Sequence, residues 1–305
     1  RKLCAELFFC MTDDALDINV NLVQQLVSSQ FPDWSDLTIT EVHPNGWDNR
    51  TFRLGDRMSV RLPSAERYSL QVDKEQKWLP ILSEKLPLPV PIPLAKGEPN
   101  HKYPYNWSIN EWIDGDTATS ERIDDMSKFA TALGGFLVDL RHINTSGGPG
   151  PGPGHRGGDL NVYNDQTQQA IEILRSKSNL DTKLLVEVWD VAVASKWVNP
   201  PVWIHGDVSS GNILVKDGEI AAVIDFGSAA IGDPACDLSI AWTMFDKDSR
   251  DAFRIRMDLD DDTWARGRGW TLWKSLILLS GIDKTNTFEG KRSLETVYQL
   301  LNDNV

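Results

Sequence analysis

Three oxygen-bearing side chains in one stretch of the sequence could share a chemical task. Asp207 ends the run Trp203-Ile204-His205-Gly206-Asp207, Asn212 follows five positions later, and Asp225 opens Asp225-Phe226-Gly227 thirteen positions after that. An amide oxygen and a carboxylate suit Mg2+, which takes hard oxygen ligands and keeps substrate phosphates in its shell. A further carboxylate beside them can take a proton from a hydroxyl nucleophile. Together these side chains are the parts needed to move a phosphoryl group onto a hydroxyl.

The chain between them must bring them together. Ile213-Leu214-Val215 and Ala221-Ala222-Val223-Ile224 are β-rich runs on either side of Lys216-Asp217-Gly218-Glu219. Two such runs around an Asp-Gly turn form a hairpin. Asn212 then stands at one end of the hairpin and Asp225 at the other, and both can meet beside Asp207.

This stretch resembles a known family. H-x-D-x-x-x-x-N followed by D-F-G matches the protein-kinase signature. His205-Gly206-Asp207 in place of H-R-D, with Gly232-Asp233-Pro234-Ala235-Cys236-Asp237-Leu238 soon after Asp225-Phe226-Gly227, is similar to the aminoglycoside phosphotransferase family of small-molecule kinases. The resemblance implies an α+β, bilobal, protein-kinase-like fold. An antiparallel-sheet, nucleotide-binding lobe is expected over residues 1–114, with 1–10 an extension ahead of it. A mainly helical lobe carrying the catalytic and acceptor-binding groups is expected over 115–305. The implied cofactors are ATP or GTP and Mg2+. Asp207 would orient and deprotonate the acceptor hydroxyl, and Asn212 and Asp225 would hold the metal. His205 would pack beneath the loop, and Asp237 would accept hydrogen bonds from its backbone. Gly206 removes the Arg that reads a phosphorylated activation loop in protein kinases. No A-P-E follows, so a small acceptor and constitutive activity are implied.

Other elements take their places from the same resemblance. Three strand-like runs, 37–42, 51–54 and 58–62, follow an amphipathic helix over 13–31 that has Asp13, Asp14 and Asp17 near its start. The turn from Pro44 to Asn49 lacks G-x-G-x-x-G, and Asn49 is its candidate nucleotide contact. Arg61 stands where the family usually has Lys. A guanidinium can still pair a carboxylate and a phosphate, and Glu75, in a helix over 68–82, is its expected partner. Prolines 87, 89, 91 and 93 impose an extended segment. A strand over 107–113 leads to the hinge, where Glu111 would offer its carbonyl and Ile113 its N–H to the base. Helices are expected over 124–143, 159–176 and 183–196 and from Leu238 on. The Gly-Pro segment 147–158 reads as a loop that does not pack. Asp258, Asp260, Asp261 and Asp262 are candidate acceptor carboxylates, and 266–270 reads as a loop needing close backbone approach.

Composition bounds the partners. The net charge of −13 argues against nucleic acid, which needs a basic footprint, and against an anionic membrane surface. It is compatible with a cationic small-molecule acceptor. No apolar run approaches the roughly 18 residues of a membrane span. Cys4, Cys10 and Cys236 have no metal or disulfide spacing. With no signal-peptide pattern at the start, a cytoplasmic monomer or weak dimer is expected, Met11 being read as the natural start. The expected function is transfer of the γ-phosphoryl group of ATP or GTP to a hydroxyl of an aminoglycoside-like acceptor. The alternatives are a kinase of the same fold for a macrolide, choline, homoserine or a sugar amine, or a catalytically silent nucleotide-binding module.

Overall fold

A computed structural model describes residues 16–43, 46, 48–152, 156–283 and 287–303. The extension read at 1–10, and much of the turn 44–49, lie outside the described residues. The chain divides into two compact units, one running up to Pro80 and taking in Pro91–Ile113, the other made of Ile81–Val90 and the chain from Asp114 on.

The first unit opens with helix α1, Val20–Gln30. The sequence places this helix over 13–31, but Asn19 caps it by accepting from the Leu22 N–H at 3.1 Å. Its first turn carries no acid, and Asp17 lies ahead of the cap. Strands β1 (Ile39–Glu41), β2 (Asn49–Leu54) and β3 (Met58–Pro63) follow, then helix α2 (Glu66–Ser83) and strands β4 (Pro93–Gly97) and β5 (Trp107–Glu111). The five strands form one antiparallel sheet in the order β1-β2-β3-β5-β4. Side chains alternate along a strand, so Phe52, Leu54, Val60 and Leu62 bury together against Val23, Leu26 and Val27 of α1. Arg61, between Val60 and Leu62, is thereby turned to the other face. Strand β4 lies within the proline-rich segment that sequence reasoning left merely extended. It is an edge strand, where a missing N–H removes no inner ladder bond.

In the second unit come β6 (Asp116–Thr117), α3 (Met126–His142), α4 (Asn164–Arg175), α5 (Thr182–Ala194), β7 (Val202–Ile204), β8 (Ile213–Lys216), β9 (Glu219–Val223) and β10 (Ala230–Gly232). Helices α6 (Ile240–Thr243), α7 (Lys247–Met257), α8 (Asp261–Ser280) and α9 (Thr287–Asn302) complete it. Helix α8 packs on α4, α5 and α9 and on the turn Pro234–Ser239, and α3 packs on α7. The β8–β9 hairpin is flanked by β6, and β7 pairs antiparallel with β10. No helix among the described residues is long and apolar enough to cross a membrane.

Two expectations for this unit are corrected. Residues 266–270 are helical, inside α8. The close approach is nonetheless there: a Cβ on Gly267 would lie 2.8 Å from Leu238 Cβ, and one on Gly269 would lie 2.5 Å from Ala192 Cβ. The Gly-Pro segment 147–158 packs where it is described. Pro149 accepts from the Ile231 N–H at 2.7 Å and Gly157 from the Asp233 N–H at 2.9 Å, so the segment is bonded to and beside β10. A proline-rich segment has few donors of its own, but its carbonyls remain strong acceptors.

Candidate active site

The hairpin turn is the one its sequence demands. Asp217 and Gly218 both have positive φ, 53° and 79°, and Lys216 pairs with Glu219. That is the two-residue turn whose twist matches a hairpin. At the open end the Ile224 N–H donates to the Asn212 carbonyl at 2.9 Å, which sets Asp225 beside Asn212. Asp225 itself is left-handed, at φ 66° and ψ 67°, a conformation costly for a non-glycine residue. A short helical turn, Phe226–Ser228, follows it.

Asn212 is fixed by Asp207. Its Nδ2 donates to the Asp207 carbonyl and to Asp207 Oδ2, each at 2.9 Å. With both amide hydrogens on Asp207, Oδ1 is the atom left for a cation. The same bond fixes one oxygen of Asp207. The other, Oδ1, accepts from Arg156 Nη1 at 2.9 Å, and Nη1 also donates to the Gly206 carbonyl at 3.2 Å. Burial opposes the charge on Arg156. The field of Asp207, with Cys236 and Asp237 behind it, outweighs burial and holds the guanidinium pKa above its ordinary value.

The backbone of this loop hangs from a buried carboxylate. Asp237 accepts from the His205 N–H at 2.8 Å and from the Gly206 N–H at 2.7 Å. Burial pushes its pKa up, partly offset by these two N–H groups. His205 is fully buried. Its Nδ1 accepts from the Asp207 N–H at 3.2 Å and its Nε2 lies 3.0 Å from the Ile224 carbonyl, which assigns the proton to Nε2. The ring meets Phe226 edge-on, centroids 4.7 Å apart. Gly206 has φ 81°, and a Cβ there would lie 2.6 Å from the Ser228 carbonyl oxygen. The backbone of one motif therefore touches that of the other, and no side chain fits between them.

In the first unit, Arg61 Nη1 lies 3.3 Å from Glu75 Oε1 and 3.4 Å from Oε2, joining β3 to α2. Both side chains are largely buried. Asn49 is the buried first residue of β2, opposite Pro63. The Glu111 N–H donates to the Ile92 carbonyl at 2.9 Å, and Ile113 follows just beyond the end of β5.

The acidic run works at helix ends. Asp258 ends α7 in a left-handed conformation, φ 48°. Asp260 caps α8 by accepting from the Thr263 N–H, and Asp261 pairs with Arg254 at 2.8 Å. All four carboxylates are exposed.

Arg156 is the site residue that sequence reasoning missed. Its one signal was the presence of a permanent cation in a segment otherwise made of Gly, Pro and one His. Nothing in the spacing connects it to Asp207, which is 51 positions away.

As for a metal, no group of three or more His, Cys, Asp or Glu among the described residues could hold an ion. Asn212 Oδ1 and Asp225 nevertheless fit Mg2+, because that ion needs only one or two protein oxygens when substrate phosphates complete its shell.

The sequence model of the phosphotransferase enzyme family matches residues 39–270. No curated protein matches the sequence. Among solved structures, the chain is similar to the GDP complex of wild-type aminoglycoside 2'-phosphotransferase-IIIa, with TM-score 0.70 and 17% identity, over 94% of this chain and 100% of that one. It is also similar to the GDP and kanamycin complex of APH(2")-IIia, with TM-score 0.68 and 18% identity, over 91% and 96% of the two chains. A third similar structure is macrolide 2'-phosphotransferase MphH from Brachybacterium faecium, with TM-score 0.58 and 19% identity, over 94% and 99%.

Proposed function

The chain belongs to the phosphotransferase enzyme family, and from that premise we propose that it transfers the γ-phosphoryl group of ATP or GTP to a hydroxyl of an aminoglycoside-like acceptor. The observation that carries this reading is the joint fixing of three groups. Asn212 Nδ2 holds Asp207 at 2.9 Å, and the Ile224–Asn212 backbone bond brings Asp225 alongside. In this proposal Asp207 orients the acceptor hydroxyl and takes its proton. Asn212 and Asp225 hold Mg2+, which when bound neutralises charge on the phosphates. Arg61, steadied by Glu75, grips the inner phosphates, and Asn49 lines the nucleotide loop. The Glu111 carbonyl and the Ile113 N–H meet the base.

An aminoglycoside is a polycation, and a chain of net charge −13 favours it. Asp258, Asp260, Asp261 and Asp262 stand in the proposal as the acceptor's carboxylates. Residues 1–114 would be the nucleotide-binding lobe and the remainder the catalytic and acceptor-binding lobe. The proposal includes a cytoplasmic location and a monomer or weak dimer.

The test is nucleotide consumption with ATP and with GTP, in Mg2+, with and without kanamycin or a macrolide. Acceptor-stimulated consumption is expected with kanamycin. Stimulation by the macrolide alone would move the proposal to the alternative acceptor. A rate that no acceptor changes, with nucleotide bound, would favour a silent nucleotide-binding module.

A further inference from the structure

We propose that Arg156 is a positioning residue for the phosphoryl transfer, and that Arg156 and Gly157 belong to the active site. The inference rests on the reading of Asp207 as the group that orients the acceptor hydroxyl.

The two oxygens of Asp207 are held by two different donors. Asn212 Nδ2 binds Oδ2 and Arg156 Nη1 binds Oδ1, both at 2.9 Å. Two donors on opposite oxygens fix the carboxylate plane. A carboxylate oxygen can accept more than one hydrogen bond, so each still has capacity for the acceptor hydroxyl. Without Arg156 only one oxygen is held, and the carboxylate, with 41% of its side chain exposed, can rotate about that contact.

Arg156 is itself held in place. It directly precedes Gly157, whose carbonyl accepts from the Asp233 N–H at 2.9 Å. Gly157 has φ 85°, and a Cβ there would lie 2.3 Å from Ile204 Cδ1. A Cβ on Gly232 would lie 2.3 Å from the Gly157 carbonyl oxygen, so the two backbones are in contact. Asp233 is in turn locked by Arg266, whose Nε donates to Oδ2 at 2.7 Å in a buried pair. A chain of fixed contacts thus runs from α8 through Asp233 and Gly157 to the guanidinium.

Stability is a poor reason for such a pair. An ion pair this exposed contributes little by itself, whereas misplacing a reacting group by about 1 Å can cost roughly 10²-fold in rate. In a loose phosphoryl-transfer transition state, positioning and charge stabilisation dominate, so fixing the carboxylate matters.

The test compares Arg156→Ala and Arg156→Lys with wild type, using ATP or GTP and kanamycin or a macrolide as acceptor. Arg156→Ala should lower kcat by roughly 10²-fold and leave nucleotide KM within about twofold. Guanidinium ion, added below unfolding concentrations, should restore part of the activity of Arg156→Ala, and Arg156→Lys should retain part. A kcat of Arg156→Ala within about threefold of wild type would overturn the inference. So would a loss that neither guanidinium nor Lys repairs. Wild type inert towards both acceptors would count against the functional reading instead. The contact is then decided without turnover, by the carboxyl-carbon NMR signal of Asp207, assigned by its loss in Asp207→Asn: it is expected to shift in Arg156→Ala, and a signal that stays put would overturn the inference.

Discussion

Asp207 Oδ2 faces an amide N–H, and this decides what a conservative change does. In Asp207→Asn an amide placed with its NH2 at Oδ2 would meet the NH2 of Asn212. Placed the other way, its NH2 would meet Arg156. One donor must face another in either orientation, and no base remains. Turnover should fall by roughly 10² or more, the range of general-base losses, with nucleotide affinity little changed. Turnover within about threefold of wild type would remove Asp207 from the role. For Asp225→Ala the expectation differs. The metal loses its one carboxylate in the motif, so Mg2+-dependent activity should vanish, and full activity at ordinary Mg2+ would refute the metal assignment. The hairpin that brings Asn212 and Asp225 together was legible in the sequence, because its Asp-Gly turn and β-rich runs fix the interval. Glu75 was legible as the partner of Arg61 through the family resemblance. Arg156 was not, because its contact with Asp207 depends on how a Gly-Pro segment docks on β10, and no local period encodes that.

Among the elements, the loop between β7 and β8 depends on Asp237, which accepts from two of its backbone N–H groups. Burial raises its pKa above the ordinary carboxylate value. A carboxyl shifted this way contributes stability that is full below its unfolded pKa and is lost as pH rises through the folded value. In Asp237→Asn that titration is absent. The difference in unfolding free energy between wild type and variant should therefore shrink as pH rises from about 3 to 7. A difference that grew over this range would mean that the two backbone N–H bonds outweigh burial and lower the pKa. The helix read over 124–143 is α3, Met126–His142, started by Asp125, which accepts from the Lys128 N–H at 3.0 Å. Elements were misread where sequence pattern and tertiary contact disagree. Residues 266–270 look like a loop because of their glycines, yet Gly267 and Gly269 are the points at which α8 packs against Leu238 and Ala192. Strand β4 was hidden by the prolines around it, since an edge position tolerates what an inner strand does not.

At the scale of the whole molecule, the fold class followed from one stretch of about thirty-five residues, because the spacing of His205, Asp207, Asn212 and Asp225 is met by few architectures. The acceptor was not legible, since no motif in the sequence fixes it. Asp260 caps α8 and Asp261 pairs with Arg254, so Asp258 and Asp262 are the members of the acidic run with least structural duty. If a cationic acceptor is drawn to them, its KM should rise with salt, because exposed attraction is screened over about 8–10 Å. Asp258→Asn with Asp262→Asn should raise acceptor KM and leave nucleotide KM alone. An acceptor KM indifferent to both would take the acidic run out of the acceptor site. The central claim is transfer of a phosphoryl group from nucleotide to an acceptor hydroxyl at Asp207. It is tested most directly by mass spectrometry of the acceptor after incubation with wild type, Mg2+, kanamycin and ATP or GTP, with Asp207→Asn alongside. The account predicts that kanamycin gains the mass of one phosphoryl group with wild type and far more slowly with the variant. Equal gain with both proteins would contradict it, as would an acceptor of unchanged mass while wild type consumes the nucleotide.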